Sequence, residues 1–205
     1  MKRSALLLSC LLSIMTALVA QSVSAQGDAG AGAGKVALCE TCHGPAGNSL
    51  IPANPKLAGQ NATYLIKQLS DYKSGARQDP TMSAMVAALS EQDIQDIAAY
   101  YSTQVIEVTG ANPENLDLGQ QLYRAGNAEI NSAACTACHA PNGAGNAPAG
   151  FPALGGQHTE YTLAQLRAFR AGQRDNDLNS MMRTVVERLT DAELEALANY
   201  ISGLH

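Results

Sequence analysis

Tryptophan is absent from this 205-residue chain, phenylalanine occurs only twice, and aromatic residues make up 4% of it. Such a chain can build only a thin core, from Leu, Ile, Val, Ala and Tyr. Charge is also scarce, at 15% of residues, where a soluble chain usually carries about a quarter. No long run of one sign occurs, which excludes a charged disordered tail. The net charge of −5 leaves no electrostatic footprint for nucleic acid. The length excludes a large multidomain enzyme and leaves room for one ordinary domain or two small ones. No transmembrane-length apolar run follows residue 25, and no alternating strand pattern is visible.

The first 25 residues read as a cleaved signal peptide. Lys2 and Arg3 form a basic start, Ala5 to Ala20 is almost wholly apolar, and Val23-Ser24-Ala25 supplies small residues for a peptidase. Cleavage is expected between Ala25 and Gln26. A retained membrane anchor is the alternative, but the span is short for a transmembrane helix. A lipoprotein reading of Leu7-Leu8-Ser9-Cys10 has too little apolar sequence before it. Loss of Lys2 and Arg3 takes the net charge from −5 to −7.

The remainder repeats. Cys39-Glu40-Thr41-Cys42-His43 recurs as Cys135-Thr136-Ala137-Cys138-His139, and Pro55-Lys56-Leu57-Ala58-Gly59-Gln60 as Pro152-Ala153-Leu154-Gly155-Gly156-Gln157. Tyr64, Gln68, Leu69, Gly75 and Arg77 match Tyr161, Gln165, Leu166, Gly172 and Arg174. Met82, Leu89 and Tyr100 match Met182, Leu189 and Tyr200. This predicts two copies of one small domain, 26–108 and 114–205, joined at 109–113, where Gly110 and Pro113 break any helix. Both read as all-α. Ser90 with Asp93, and Thr190 with Glu193, form capping boxes. Behind them Ile94, Ile97, Ala98 and Tyr101, and Leu194, Leu197, Ala198 and Ile201, make apolar helical stripes. A middle helix is expected at about 62–74 and again at about 160–171, each stopping near a glycine, Gly75 or Gly172. A shorter helix should precede each Cys pair, and the Gly- and Pro-rich stretches 44–60 and 140–157 should be loops.

All four cysteines after residue 25 lie in the two C-x-x-C-H motifs. Two thiols at this spacing add across the two vinyl groups of haem, and the adjacent His then lies under the iron. The motif therefore reads as c-type haem attachment. Structural disulfides would not need a His after each pair. A thioredoxin-like redox motif would sit near a βαβ pattern. A zinc site would have to unite two separate repeats. Cys39, Cys42 and His43, and Cys135, Cys138 and His139, are thus candidate haem c attachment residues. A porphyrin would also supply the centre that a small domain lacks, so the haem-free chain is expected to fold poorly.

The iron's sixth ligand decides function. His158 and His205 have no counterpart in the first repeat and read as structural or surface residues. The methionines after residue 25 are Met82, Met85, Met181 and Met182. Met82 stands seven residues before Leu89 and Met182 seven before Leu189, so these two are equivalent. The repeat selects them, with Met181 a rival to its neighbour. A proximal His usually donates its second ring N–H to a fixed acceptor. Pro55 and Pro152 occupy matched places and can offer only carbonyls, which suggests that role.

The residues now resemble the dihaem cytochrome c4 family. The similarity spans the chain after residue 25. It includes both C-x-x-C-H motifs, Asn54-Pro55-Lys56-Leu57-Ala58-Gly59-Gln60, Cys138-His139-Ala140-Pro141-Asn142-Gly143, Phe151-Pro152-Ala153-Leu154-Gly155-Gly156-Gln157-His158, and the closing Tyr200-Ile201-Ser202-Gly203-Leu204-His205. The resemblance implies two tandem class-I cytochrome c-like domains about a pseudo-twofold axis, with haem propionates meeting near their interface. It implies His/Met ligation by His43 with Met82 and His139 with Met182. The adjacent Met181-Met182 pair departs from the family pattern and leaves the second ligand open.

The functional expectation is a periplasmic, monomeric dihaem electron carrier, with peripheral membrane association as in some family members. Met ligation raises the potential above that of bis-His haem. A membrane quinol-oxidising complex could then reduce the protein and a terminal cytochrome oxidase accept its electrons. Such encounters are weak and transient, and the acidic charge would suit a basic patch on a partner unless it is merely solvated surface. One rival is the electron-accepting cytochrome subunit of a periplasmic dehydrogenase. Others are a dihaem peroxidase, which needs an exchangeable iron site, and a gas sensor.

Overall fold

The computed structural model describes residues 27–205. The expected signal peptide and its cleavage site therefore lie outside the described residues. Ten α-helices occur in this span: α1 (Ala29–Ala33), α2 (Ala37–His43), α3 (Ala62–Ser74), α4 (Pro80–Val86), α5 (Glu91–Ser102), α6 (Leu116–Ala125), α7 (Thr136–His139), α8 (Thr159–Arg170), α9 (Met181–Val186) and α10 (Asp191–Ser202). Among the described residues the β-structure is limited to two isolated bridges, Asn127 with Ser132 and Asn146 with Phe151. No helix of these residues is long and apolar enough to cross a membrane.

The order α1 to α5 is repeated by α6 to α10. The expected middle helices are α3 and α8, and the expected closing helices are α5 and α10. Both capping boxes are formed, Ser90 with Asp93 and Thr190 with Glu193. The α3 helix ends at Gly75, whose φ of 82° lies in the left-handed region that glycine enters freely.

Each repeat folds around its closing helix. In the first, α1 and α3 pack on α5; in the second, α6 and α8 pack on α10. The first crossing in each repeat depends on one glycine. A Cβ on Gly32 would stand 2.1 Å from the carbonyl oxygen of Asp96, and one on Gly119 would stand 2.2 Å from that of Ala196. Only a residue without a side chain lets these backbones meet. Gly119 lies 87 positions after Gly32, whereas the Cys motifs are 96 apart. The second repeat carries a loop with the short 3₁₀ turn Ala128–Ile130 before its motif, which accounts for the change of offset.

The cores are small and separate. The first holds Val36, Leu65, Ile97, Ala98 and Tyr101. The second is larger, with Tyr123, Leu166, Phe169, Leu194, Leu197 and Ile201 among its members. The first repeat compensates with a polar anchor. Buried Asp96 accepts hydrogen bonds from Asp28 N at 2.9 Å, Gln92 Nε2 at 2.8 Å and Lys35 Nζ at 2.7 Å, tying both ends of α1 to α5. Lys35, Asp28 and Gln92 hold its carboxyl down to about 2. Ala196 occupies the matching place in the second repeat, so this anchor has no twin.

Candidate functional site

One cavity of about 1160 Å³ runs through both repeats. All eight candidate residues line it: Cys39, Cys42, His43 and Met82, then Cys135, Cys138, His139 and Met182. Met85 and Met181 line it as well. The first C-x-x-C-H motif is the second half of α2 and the second is α7 with the residue before it. Each motif's helical turn puts the His on the core side, and both imidazoles are buried.

The histidines are held as the matched prolines suggest. His43 Nδ1–H donates to the Pro55 carbonyl at 2.8 Å, and His139 Nδ1–H to the Pro152 carbonyl at 3.0 Å. A carbonyl can only accept, so the proton sits on Nδ1 and Nε2 carries the free lone pair. Burial pushes both rings below the usual histidine range, against the carbonyl bonds that raise them. Both are therefore neutral at pH 7, as a metal-ligating imidazole must be.

The methionines arrive on the two short helices that the apolar pattern did not announce, α4 and α9. Pro80 opens α4, where its fixed φ suits a first helical position, and Asp79 caps it by accepting from Met82 N at 2.8 Å. The second repeat enters α9 through a strained turn. Asn179 and Ser180 are both left-handed, at φ 51° and 58°. Asp177 holds this turn by accepting from Arg183 N at 3.0 Å and from its Nε at 2.8 Å. Burial would raise the Asp177 carboxyl, but these bonds keep it below the ordinary range.

Between the repeats lies a polar network that the sequence displayed only as matched letters. Arg77 donates to Gln68 Oε1 at 2.7 Å in its own repeat, and to Gln165 Oε1 at 2.8 Å and Tyr161 OH at 3.2 Å in the other. Arg174 mirrors it, donating to Gln165 Oε1 at 2.8 Å, Tyr64 OH at 2.9 Å and Gln68 Oε1 at 3.0 Å. Each guanidinium also covers an aromatic ring, Tyr72 at 4.6 Å and Phe169 at 4.4 Å. The other histidines take structural roles. His158 Nε2–H donates across the interface to the Ser49 carbonyl at 2.9 Å, and exposed His205 bonds locally to Gly203.

These residues fit haem on three grounds. First, Arg77 and Arg174 are 7% and 8% exposed and face the cavity. Among the described residues neither has a carboxylate in ion-pair range. Buried cations want an anion, and propionates supply one. Second, the Tyr101 hydroxyl is buried at the cavity wall beside the Cys39 thiol and has no oxygen or nitrogen partner among the described residues, an orphan such as a bound group would satisfy. Third, the thiols suit attachment better than redox exchange. Burial pushes Cys39 up and Cys135 up to about 11, whereas an exchanging C-x-x-C needs a lowered thiol. Among the described residues no three His, Cys, Asp or Glu side chains gather as a metal cluster.

Comparison with known proteins agrees with this geometry. The family model for cytochrome c matches residues 29–104 and again 116–205. Cytochrome c4 of Stutzerimonas stutzeri is 48% identical over 202 residues, covering 94% of this chain and 96% of that one. The crystal structure of reduced recombinant cytochrome c4 from Pseudomonas stutzeri superposes with a TM-score of 0.85 at 50% identity, covering 87% of this chain and all of that one. A thiosulfate dehydrogenase electron acceptor of Stutzerimonas stutzeri strain A1501 is 38% identical over 170 residues, 81% of this chain and 78% of that one. With two haem c sites in two tandem cytochrome c domains, the chain belongs to the cytochrome c4 family of electron-transfer proteins.

Proposed function

We propose that this carrier works in the periplasm as a monomer, taking single electrons from a membrane quinol-oxidising complex and passing them to a terminal oxidase. His43 with Met82 and His139 with Met182 serve as the axial ligands, and Cys39, Cys42, Cys135 and Cys138 as the attachment points, in domains spanning 26–108 and 114–205. The haem iron, when bound, supplies the one-electron chemistry. The chain's own residues do the rest. Neutral His43 and His139 present Nε2 lone pairs, fixed by the Pro55 and Pro152 carbonyls. Soft Met thioethers favour the reduced state and keep the potential above that of bis-His sites. Repeat register selects Met182 over Met181. Arg77 and Arg174 put positive charge where the two repeats meet.

The observation that carries this reading is the single cavity, lined in both repeats by a neutral His and a matched Met. Carbon monoxide added to the fully reduced holoprotein tests the ligand set. An unchanged visible spectrum is expected; a rapid change in about half the haem would point to a labile iron and to peroxidase or sensor chemistry. Oxygen uptake by oxidase-containing membranes, with the reduced protein as donor, tests the acceptor. No oxidation of the protein by such membranes would refute it.

A second reading draws support from the 38% identical thiosulfate dehydrogenase electron acceptor. The chain would then take electrons from a periplasmic dehydrogenase. Co-purification with a larger catalytic subunit would favour it over a free carrier.

A further inference from the structure

The peptide unit that holds each proximal histidine is gripped from the other repeat. In the first repeat the Pro55 carbonyl accepts from His43. The N–H of that same peptide belongs to Lys56, and it donates to Gln157 Oε1 at 2.9 Å. The Gln157 amide closes a second bond, its Nε2 donating to the Lys56 carbonyl at 2.9 Å. The second repeat mirrors this. The Pro152 carbonyl accepts from His139, Ala153 N donates to Gln60 Oε1 at 2.8 Å, and Gln60 Nε2 donates to the Ala153 carbonyl at 2.9 Å. Both glutamines are 8% exposed.

A peptide bond is a planar, conjugated unit. An acceptor on its N–H polarises its C=O, because hydrogen bonds in a chain strengthen one another. Gln157, through Lys56 N–H and Pro55 C=O, is therefore continuous with His43. Gln60, through Ala153 N–H and Pro152 C=O, is continuous with His139. The acceptor on a ligating imidazole sets its orientation and basicity, and a more basic imidazole favours ferric iron.

We infer that Gln157 and Gln60 are crossed positioning residues: each sets the redox poise of the haem in the opposite repeat by fixing and polarising that haem's histidine acceptor. The inference rests on the ligand assignment proposed above. Removing a clamp weakens the imidazole's hydrogen bond and favours ferrous iron, so the opposite haem's potential rises.

The test is redox titration of the holoprotein with each haem resolved by NMR of its own ligand resonances. Gln157→Leu is expected to shift the first-repeat haem upward, by up to about tenfold in its ferrous-to-ferric ratio, which is about 59 mV for one electron. The second-repeat haem should hold within error. Gln60→Leu should do the reverse. Exchange of the opposite histidine's Nδ1 proton should quicken in step. Gln157→Asn and Gln60→Asn, polar but one methylene too short to close both bonds, should give the same crossed pattern in weaker form if the Leu variants fail to assemble. Thr63→Val removes a different cross-repeat bond, Thr63 Oγ1 to the Ala147 carbonyl at 2.7 Å, and should move neither potential. Shifts confined to the same repeat, equal shifts in both haems, or no shift would overturn the inference. An error in the ligand assignment would be visible separately, in the wild-type spectra.

Discussion

Replacing Gly119 by alanine separates packing from intrinsic helix preference, because the two predict opposite signs. Gly119 is inside α6, where glycine is worse than alanine by about 1 kcal/mol. On propensity alone the change would stabilise. At the crossing with α10, however, the new Cβ would be 2.2 Å from the Ala196 carbonyl oxygen, 2.8 Å from its carbon and 2.7 Å from Tyr200 Cβ. Ordinary contact begins near 3.4 Å. The obstacle is backbone locked into α10's own hydrogen-bond ladder, so α6 itself must move out. Overpacking of this kind costs about 1–3 kcal/mol, and a backbone obstacle argues for the upper end. The net effect is then a destabilisation of about 2 kcal/mol after the propensity gain. If the second repeat melts as its own unit, the midpoint falls by about 8–16 °C; if both repeats melt together, by about 4–8 °C. Calorimetry of the holoprotein reads both the sign and the cooperativity. An unchanged or raised midpoint would refute the crossing argument. Gly32→Ala offers the same test in the first repeat, with its Cβ 2.1 Å from the Asp96 carbonyl oxygen.

Other outcomes follow from the same geometry. Met182→Leu should abolish the methionine-to-ferric-iron charge-transfer absorption of one haem, while Met181→Leu should keep it; the opposite result would reassign the ligand. The Asp96 carboxyl is held to about 2 in the folded chain, against about 3.9 when unfolded. A depressed carboxyl stabilises above the unfolded value and loses that contribution as pH falls through the folded one. Denaturant stability should therefore drop between about pH 4 and pH 2 in the wild type, and the Asp96→Asn curve should be flatter there. A parallel fall in both would remove Asp96 from the acid response. Arg174→Met deletes donors to Gln165, Tyr64 and Gln68, each charge-assisted bond being worth about 1.5–3 kcal/mol. The two repeats should then melt in separate calorimetric steps, and a single unshifted transition would deny the network a role in joining them.

Much of this was legible in the sequence because the residues involved have few alternatives. The capping boxes at Ser90 and Thr190 are local hydrogen-bond patterns, so they announce α5 and α10 without tertiary context. The C-x-x-C-H spacing is fixed by porphyrin chemistry rather than by the fold. Pro55 and Pro152 could be read as acceptors because proline has no N–H to give. The two methionine helices were not legible. At seven and six residues, α4 and α9 are too short for an apolar period, and their starts depend on an Asp79 cap and on the Asp177–Arg183 pair. The crossing glycines were hidden because the insertion before Cys135 changes the repeat offset between Gly119 and the motif. The repeat-matched residues Gln60, Gln68 and Arg77 were visible as letters, but nothing in one copy says whether such a residue serves its own domain or the neighbouring one.

That ambiguity has a physical origin in duplication. The contacts between the two copies are reciprocal, Arg77 to Gln165 and Arg174 to Gln68, so the copies meet through the same surface patch, as subunits about a twofold axis do. A residue that hydrogen-bonds across such an axis is automatically repeated, and it looks like part of the domain's internal pattern. Here Gln68 Oε1 takes hydrogen bonds from both Arg77 and Arg174, and Gln165 Oε1 does the same. Neither half supplies all of these partners alone. The first repeat on its own would leave Arg77 with Gln68 and Tyr72 but without Tyr161 or Gln165, and would leave Lys56 N–H without Gln157. In the intact chain these groups are buried, and there each needs the partner that the other repeat supplies. The interface is therefore part of each repeat's hydrogen-bond inventory in the intact chain, which is why residues that serve the neighbour carry the same repeat register as residues that serve their own copy.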